Sequence, residues 1–215
     1  RASQDGKIVS LREGRVTLAM GERKLQVKSP IAGTIVELIP GFGAVVGLSG
    51  SVIQGVWSNG LSAKGDFTRL AFDFNDPQQR GNLPEVEGKI VFSDSLISLD
   101  RFQALAAKKP AGIVLPSLMP ALVSQALEST VAVMSLCGFG DQGVDPASSE
   151  LMDSMQGKDV YLLADEQKRT AELILPGGAG QKSALFDEEA ALKVGSLVRF
   201  LGEPYLGSTG SVVEL

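Results

Sequence analysis

The sequence predicts an α/β fold: a mostly parallel or mixed sheet with three helices over residues 88–176, flanked by β-rich segments on both sides. Three observations carry this expectation. Short apolar runs alternate with stretches of helical spacing between Gly88 and Pro176. The connections between those runs are long enough to be βαβ crossovers, which join parallel strands covered by helices. Outside this stretch, brief β-like runs are punctuated by glycine and show no helical period.

Lys89-Ile90-Val91-Phe92 is the first run, and Leu96, Leu99, Phe102, Leu105 and Ala106 follow at helical spacing. Asp100 and Arg101 fall on the opposite face, and Lys108-Lys109-Pro110 supplies cations for the last turn and then a residue that cannot continue a helix. Gly112-Ile113-Val114-Leu115 is a second strand. Leu118, Leu122, Ala126 and Leu127 give a second helix, opened by Pro120, and Val131-Ala132-Val133-Met134 a third strand. A third helix is expected over 146–156, with Asp145 or Ser148 as cap, Leu151, Met152 and Met155 on its apolar side and Gly157 closing it. Val160-Tyr161-Leu162-Leu163 and Ala171-Glu172-Leu173-Ile174-Leu175 then read as a hairpin about the polar turn 165–169, an antiparallel pair near one edge of the sheet.

With 215 residues, 44% of them hydrophobic, and a formal charge of −5, the chain has an ordinary globular composition. No apolar run reaches the roughly 20 residues that a membrane-spanning helix needs. There is one cysteine and no histidine. An internal disulfide, a histidine-based metal site and a histidine-dependent triad are therefore excluded. No signal peptide is seen, and a cytoplasmic setting is expected. The first residue is Arg1 and not methionine, so the chain is read as a fragment or trimmed form.

Residues 1–56 contain evenly spaced runs, Lys7-Ile8-Val9, Val16-Thr17-Leu18, Leu25-Gln26-Val27, Thr34-Ile35-Val36 and Ala44-Val45-Val46, which predict a small all-β unit. The stretch from Leu25 to Leu38, with its Ser29-Pro30 step and Gly33 between strands, resembles the second half of a biotinyl/lipoyl-type barrel-sandwich hybrid over about 40 residues. In those carriers the modified lysine occupies a hairpin eleven residues before that glycine, a position that falls here on Glu22. The turn Met20-Gly21-Glu22-Arg23 lacks a lysine at its tip, so an unmodified barrel carrying no cofactor is expected.

Residues 57–87 read as a connector with some sheet of its own: Val56-Trp57 and Phe67 to Phe72 are strand-like, and Asp73, Asn75, Asp76 and Pro77 form a loop of solvated carboxylates. Residues 177–215 read as a linker and a β-hairpin. Gly177-Gly178-Ala179-Gly180-Gln181-Lys182-Ser183 lacks the order of a phosphate loop and reads as linker. From Gly195 to Val213, a strand, a bend at Gly202, then Gly207 and Gly210 before a second strand resemble a KOW motif, whose SH3-like surroundings imply RNA or protein binding. Electrostatics disfavours nucleic acid, because from Asp187 onward two cations, Lys193 and Arg199, face five carboxylates.

The best place for a small-molecule site is the carboxyl ends of the parallel strands, where open α/β sheets hold their ligands. Ser93 and Asp94 follow the first strand, Ser117 the second, and Cys137, Gly138, Gly140 and Asp141 the third. Backbone amides near Gly138 and Gly140 would serve as anion donors, with Asp94 or Asp141 as polar partners. No specific catalytic constellation is found, since Cys137 has no histidine to activate it. The preferred reading is a non-catalytic modular binding or scaffold protein with a protein or small-molecule partner. The alternatives are a small-molecule-binding protein or enzyme using those loops, and RNA binding through the KOW-like segment.

Overall fold

The computed structural model describes residues 6–12, 15–19, 28–70, 84–177, 191–200, 204–205 and 208–215. The chain divides into two compact units, Arg1–Pro30 and Ile31–Leu215. In the first, β1 (Lys7–Arg12) and β2 (Arg15–Ala19) form an antiparallel hairpin. The expected strand 25–27 and the turn bearing Glu22 lie outside the described residues.

The second unit is built on an eight-stranded mixed sheet with three helices. A mixed sheet with three helices is what the sequence predicts for 88–176, but three strands come from before that stretch. Gly50–Gly55 comes from the expected 1–56 β unit, and Trp57–Ser58 and Ala63–Leu70 from the expected connector 57–87; they pair into the sheet through long-range backbone hydrogen bonds that local pattern does not reveal. Its strands are β5 (Gly50–Gly55), β6 (Trp57–Ser58), β7 (Ala63–Leu70), β8 (Ile90–Ser93), β9 (Gly112–Leu115), β10 (Ala132–Ser135), β11 (Asp159–Asp165) and β12 (Thr170–Pro176). Their spatial order is β5-β12-β11-β7-β8-β9-β10-β6. β7, β8, β9 and β10 run parallel, and the remaining pairings are antiparallel. α1 (Leu99–Ala107) joins β8 to β9, and α2 (Val123–Glu128), entered through a 3-10 turn at Pro120–Leu122, joins β9 to β10. α3 (Pro146–Met155) leads from β10 to β11.

The sheet closes on itself. β5 and β6 stand at opposite ends of the strand order yet are consecutive in the chain, with only Val56 between them. Val56 N donates to Ser135 O (3.0 Å), while Ser58 N reaches across to Arg169 O (2.7 Å) at the start of β12. One bent strand therefore completes the ring with β12 on one side and β10 on the other. The bend needs a residue without a side chain, because a Cβ on Gly55 would lie 2.6 Å from Met134 Cε and 2.9 Å from Ser135 O. The β11–β12 hairpin, expected near an edge, is flanked in this ring by β7 and β5.

Alternation along the strands separates two apolar clusters. Ile53, Phe67, Ile90, Phe92, Val114 and Met134 belong to one, into which α3 inserts Met152 and Met155. Val91, Ile113, Leu115 and Val133 belong to the other and are covered by Phe102 and Leu105 of α1 and by Leu122 and Ala126 around α2. This explains why β8, β9 and β10 read as continuous apolar runs: both faces are buried. Each fully buried Leu, Ile or Phe here contributes about 1.5–3 kcal/mol.

Two further hairpins belong to this unit. β3 (Thr34–Ile39) pairs with β4 (Gly43–Gly47), with a bulge between Ile35 and Glu37. β13 (Leu197–Arg199) pairs antiparallel with β14 (Thr209–Ser211), so the C-terminal segment forms a β-hairpin. Gly202 and Gly207, like residues 178–190 with most of the phosphate-loop-like stretch, lie outside the described residues.

Candidate functional site

The carboxyl ends of β8, β9 and β10 lie side by side, as parallel pairing requires. The loops that follow β9 and β10 are zipped together by backbone hydrogen bonds. Leu136 N donates to Leu115 O (3.0 Å), Cys137 N to Pro116 O (2.8 Å), Leu118 N to Gly138 O (2.8 Å) and Gly140 N to Leu118 O (3.2 Å). Gly138 and Gly140 both take left-handed backbone angles, φ +84° and +111°, which glycine adopts without strain. The Gly140 amide, expected to be an anion donor, is thus used within the loop pair.

The hydroxyls of these loops are turned inward. Ser93 Oγ donates to Ser95 O (2.8 Å), Ser117 Oγ to Gln142 O (2.8 Å) and Ser135 Oγ to Gly138 O (2.5 Å). All three serines are buried. Cys137 is half-buried with Sγ 3.3 Å from Gly143 O, and Asp141 is exposed. The structure therefore brings Ser117, Cys137, Gly138 and Gly140 into one pair of bonded loops, with Asp141 next in the chain, and the side chains of Ser117 and Cys137 are bonded to the backbone carbonyls of Gln142 and Gly143. Two buried polar atoms at this end, Ser95 Oγ and Gln142 Oε1, have no hydrogen-bond partner.

Asp94 is committed elsewhere. Arg69, near the end of β7, donates Nε to both oxygens of Asp94 (2.9 Å each) and Nη1 to Asp153 Oδ1 of α3 (2.6 Å). Its Nη2 reaches Ser149 Oγ (3.0 Å), and the guanidinium carbon lies 5.7 Å from the centroid of the Phe92 ring. Hydrogen bonding to Asp94, opposed by partial burial and reinforced by Asp153, holds Arg69 in its charged form beyond the ordinary arginine range. This cluster ties α3 onto the ends of β7 and β8. At the other end of that segment, Asp145 caps α3, its carboxylate accepting from Ser148 N (3.0 Å) and Ser148 Oγ (2.7 Å).

A second polar center, at the ring seam, went unrecognised in the sequence. Asn59 is 6% exposed, and its amide is fully used: Nδ2 donates to Ala126 O and Val131 O (2.9 Å each), and Oδ1 accepts from Val133 N (3.0 Å) and Leu61 N (3.3 Å). Arg169, itself left-handed at φ +58°, donates Nη1 to Asn59 O (2.8 Å). The only signal in the sequence was the Asn59-Gly60 pair, which looks like an ordinary turn.

Among the described residues, no cluster of three or more Asp, Glu or Cys side chains is placed to hold a metal ion, and no helix is long and apolar enough to cross a membrane. A groove of about 270 Å³ lies beside Leu163–Asp165 and Thr170–Glu172, on the β11–β12 hairpin. Comparisons with protein-family models, with curated proteins and with solved structures return no match for this chain.

Proposed function

We propose that this chain is a non-catalytic protein-binding module that engages its partner through the β3–β4 hairpin. The observation that carries this reading is the exposed apolar surface of that hairpin: Ile35, Val36, Leu38, Ile39 and Val45 are all solvent-facing, and Phe42 at the turn is 94% exposed. An isolated two-stranded hairpin is marginal in water, and contiguous exposed apolar surface marks interaction sites. Among the described residues, the main sheet is closed by the pairing of β5 with β12 and of β6 with β10, which consumes the edges that would otherwise accept an added strand. Glu37 is the hairpin's one ionisable side chain, so a partner surface of apolar character fits it.

The resemblances to a barrel-sandwich hybrid and to a KOW hairpin support the same class, since both are small β modules. The carboxylate excess after Asp187 favours a protein partner over RNA for the C-terminal hairpin. The test is binding of a candidate partner to the wild-type chain and to the double variant Leu38→Asp, Phe42→Asp. Loss of binding by at least about tenfold with unchanged thermal unfolding supports the reading, as expected when central apolar anchors are removed. Equal binding by both proteins rejects it.

A second reading, a small-molecule site at the loops that follow β8, β9 and β10, is favoured by the two unpartnered buried atoms Ser95 Oγ, after β8, and Gln142 Oε1, after β10. A ligand seated there would raise the unfolding temperature of wild type and not of Gln142→Leu.

A further inference from the structure

Asn59 is followed by Gly60, the one Asn-Gly pair in the chain. That pair has an intrinsic chemistry. In a mobile backbone the amide nitrogen after an asparagine attacks the side-chain Cγ, a ring C–N bond forms, and the side-chain nitrogen leaves as ammonia. Water then opens the cyclic imide at either carbonyl, leaving an aspartyl or isoaspartyl residue. Glycine as successor speeds the attack because it has no Cβ to obstruct it and its backbone is permissive.

In the folded ring every participant is restrained. The leaving nitrogen, Nδ2, donates to Ala126 O and Val131 O, and Oδ1 accepts from Val133 N and Leu61 N. The attacking nitrogen, Gly60 N, is itself bonded to Ser58 Oγ (3.3 Å). Asn59 N donates to Val133 O (3.1 Å), which fixes the backbone beside β10. Attack would require these bonds to break together, and that happens only when the seam opens.

We propose that Asn59 is a conformation-gated deamidation site that converts the unfolded or seam-opened chain irreversibly into one that cannot rebuild the ring. The product cannot replace the amide. A carboxylate at this position has no N–H for Ala126 O and Val131 O, and it places a charge where the native residue is 6% exposed. The isoaspartyl form also adds a methylene to the backbone at the pairing of β6 with β10. The inference is independent of what the hairpin binds.

The experiment incubates the intact chain at mildly alkaline pH, folded in one sample and in urea in the other, in water enriched in heavy oxygen, and maps the peptide containing residue 59. Conversion with heavy-oxygen uptake is expected to run more than about tenfold faster in urea, since a fully bonded site reacts only through rare openings. Asn75 and Asn82, which precede Asp76 and Leu83, are expected to convert more slowly in the same unfolded sample. Gly60→Ala is expected to slow conversion in urea, a readout that does not depend on folding. Removing the urea then partitions the aged chains, and intact Asn59 should be enriched in the refolded fraction. Equal rates in the folded and unfolded samples, or converted chains refolding in their input proportion, overturn the proposal.

Discussion

Arg69 grips Asp94 side-on, with Nε 2.9 Å from both carboxylate oxygens and Nη2 2.7 Å from one of them. The same guanidinium holds Asp153, so a single side chain joins the loop after β8 to α3. Because hydrogen bonds to charged groups are worth about 1.5–3 kcal/mol, Arg69→Ala is expected to lower unfolding stability by that amount. Arg69→Lys should recover only a small part, since an ammonium cannot reproduce the planar fork. Urea unfolding of the three proteins measures both effects.

Asn59 makes the seam specific. Asn59→Ala removes an amide that satisfies two carbonyls and one strand N–H in a buried setting, and it is expected to cost at least about 2 kcal/mol. The loss should be seen as a lower urea midpoint, with fast amide exchange at Val133, whose N–H loses its acceptor.

Gly55 sets the packing limit at the same seam. Gly55→Ala forces a Cβ against Met134 and the Ser135 carbonyl, and an overpacked core of this kind is expected to lose about 1–3 kcal/mol. The second change Met134→Ala relieves the side-chain part of the clash and not the carbonyl part. Comparing the double variant with each single one in urea unfolding separates the two.

The Lys64–Asp159 pair, at 2.9 Å, is exposed and predicts a pH signature. Asp159 is held below the ordinary carboxylate range, chiefly by its hydrogen bond and attraction to Lys64, and Lys64 is raised above the ordinary lysine range by the same partner. For the carboxylate, a lowered folded value means stability that is present above the unfolded value and lost as pH falls through the folded one. For the lysine, stability is present below its unfolded value and lost as pH rises through the raised one. The stability difference between wild type and Asp159→Asn is therefore expected to be small and level near neutrality, and to vanish at both acid and strongly alkaline pH. Added salt should shrink it. A difference that grows on acidification would contradict the pairing.

Much of the fold could be read from the residues. Gly112 to Leu115 formed the strand that its apolar run predicts, and Asp145 and Pro146 opened the third helix where a cap and an N-terminal proline belong. The ring closure could not be read in the same way. It depends on Val56 meeting Ser135 and on Ser58 meeting Arg169, contacts between segments far apart in sequence for which local periodicity carries no information. The same limit hid Arg69, which reads as the one charged residue in the strand-like run 67–72 until α3 is folded beside it. Ser93, Ser117 and Gly138 do lie at strand ends, but the Ser93 hydroxyl bonds within its own loop, and Ser117 and the Gly138 carbonyl bind the β9 and β10 loops to each other.

The most direct test of the binding reading places a photo-crosslinking residue at position 42 in one protein and at position 141 in another, both expressed in the cells that normally contain the chain. Position 42 is expected to trap one protein repeatedly, Leu38→Asp to abolish the adduct, and position 141, on the loop after β10, to trap it far less. An adduct formed equally at both positions, or one at position 42 that survives Leu38→Asp, would contradict the assignment of the β3–β4 hairpin as the binding surface.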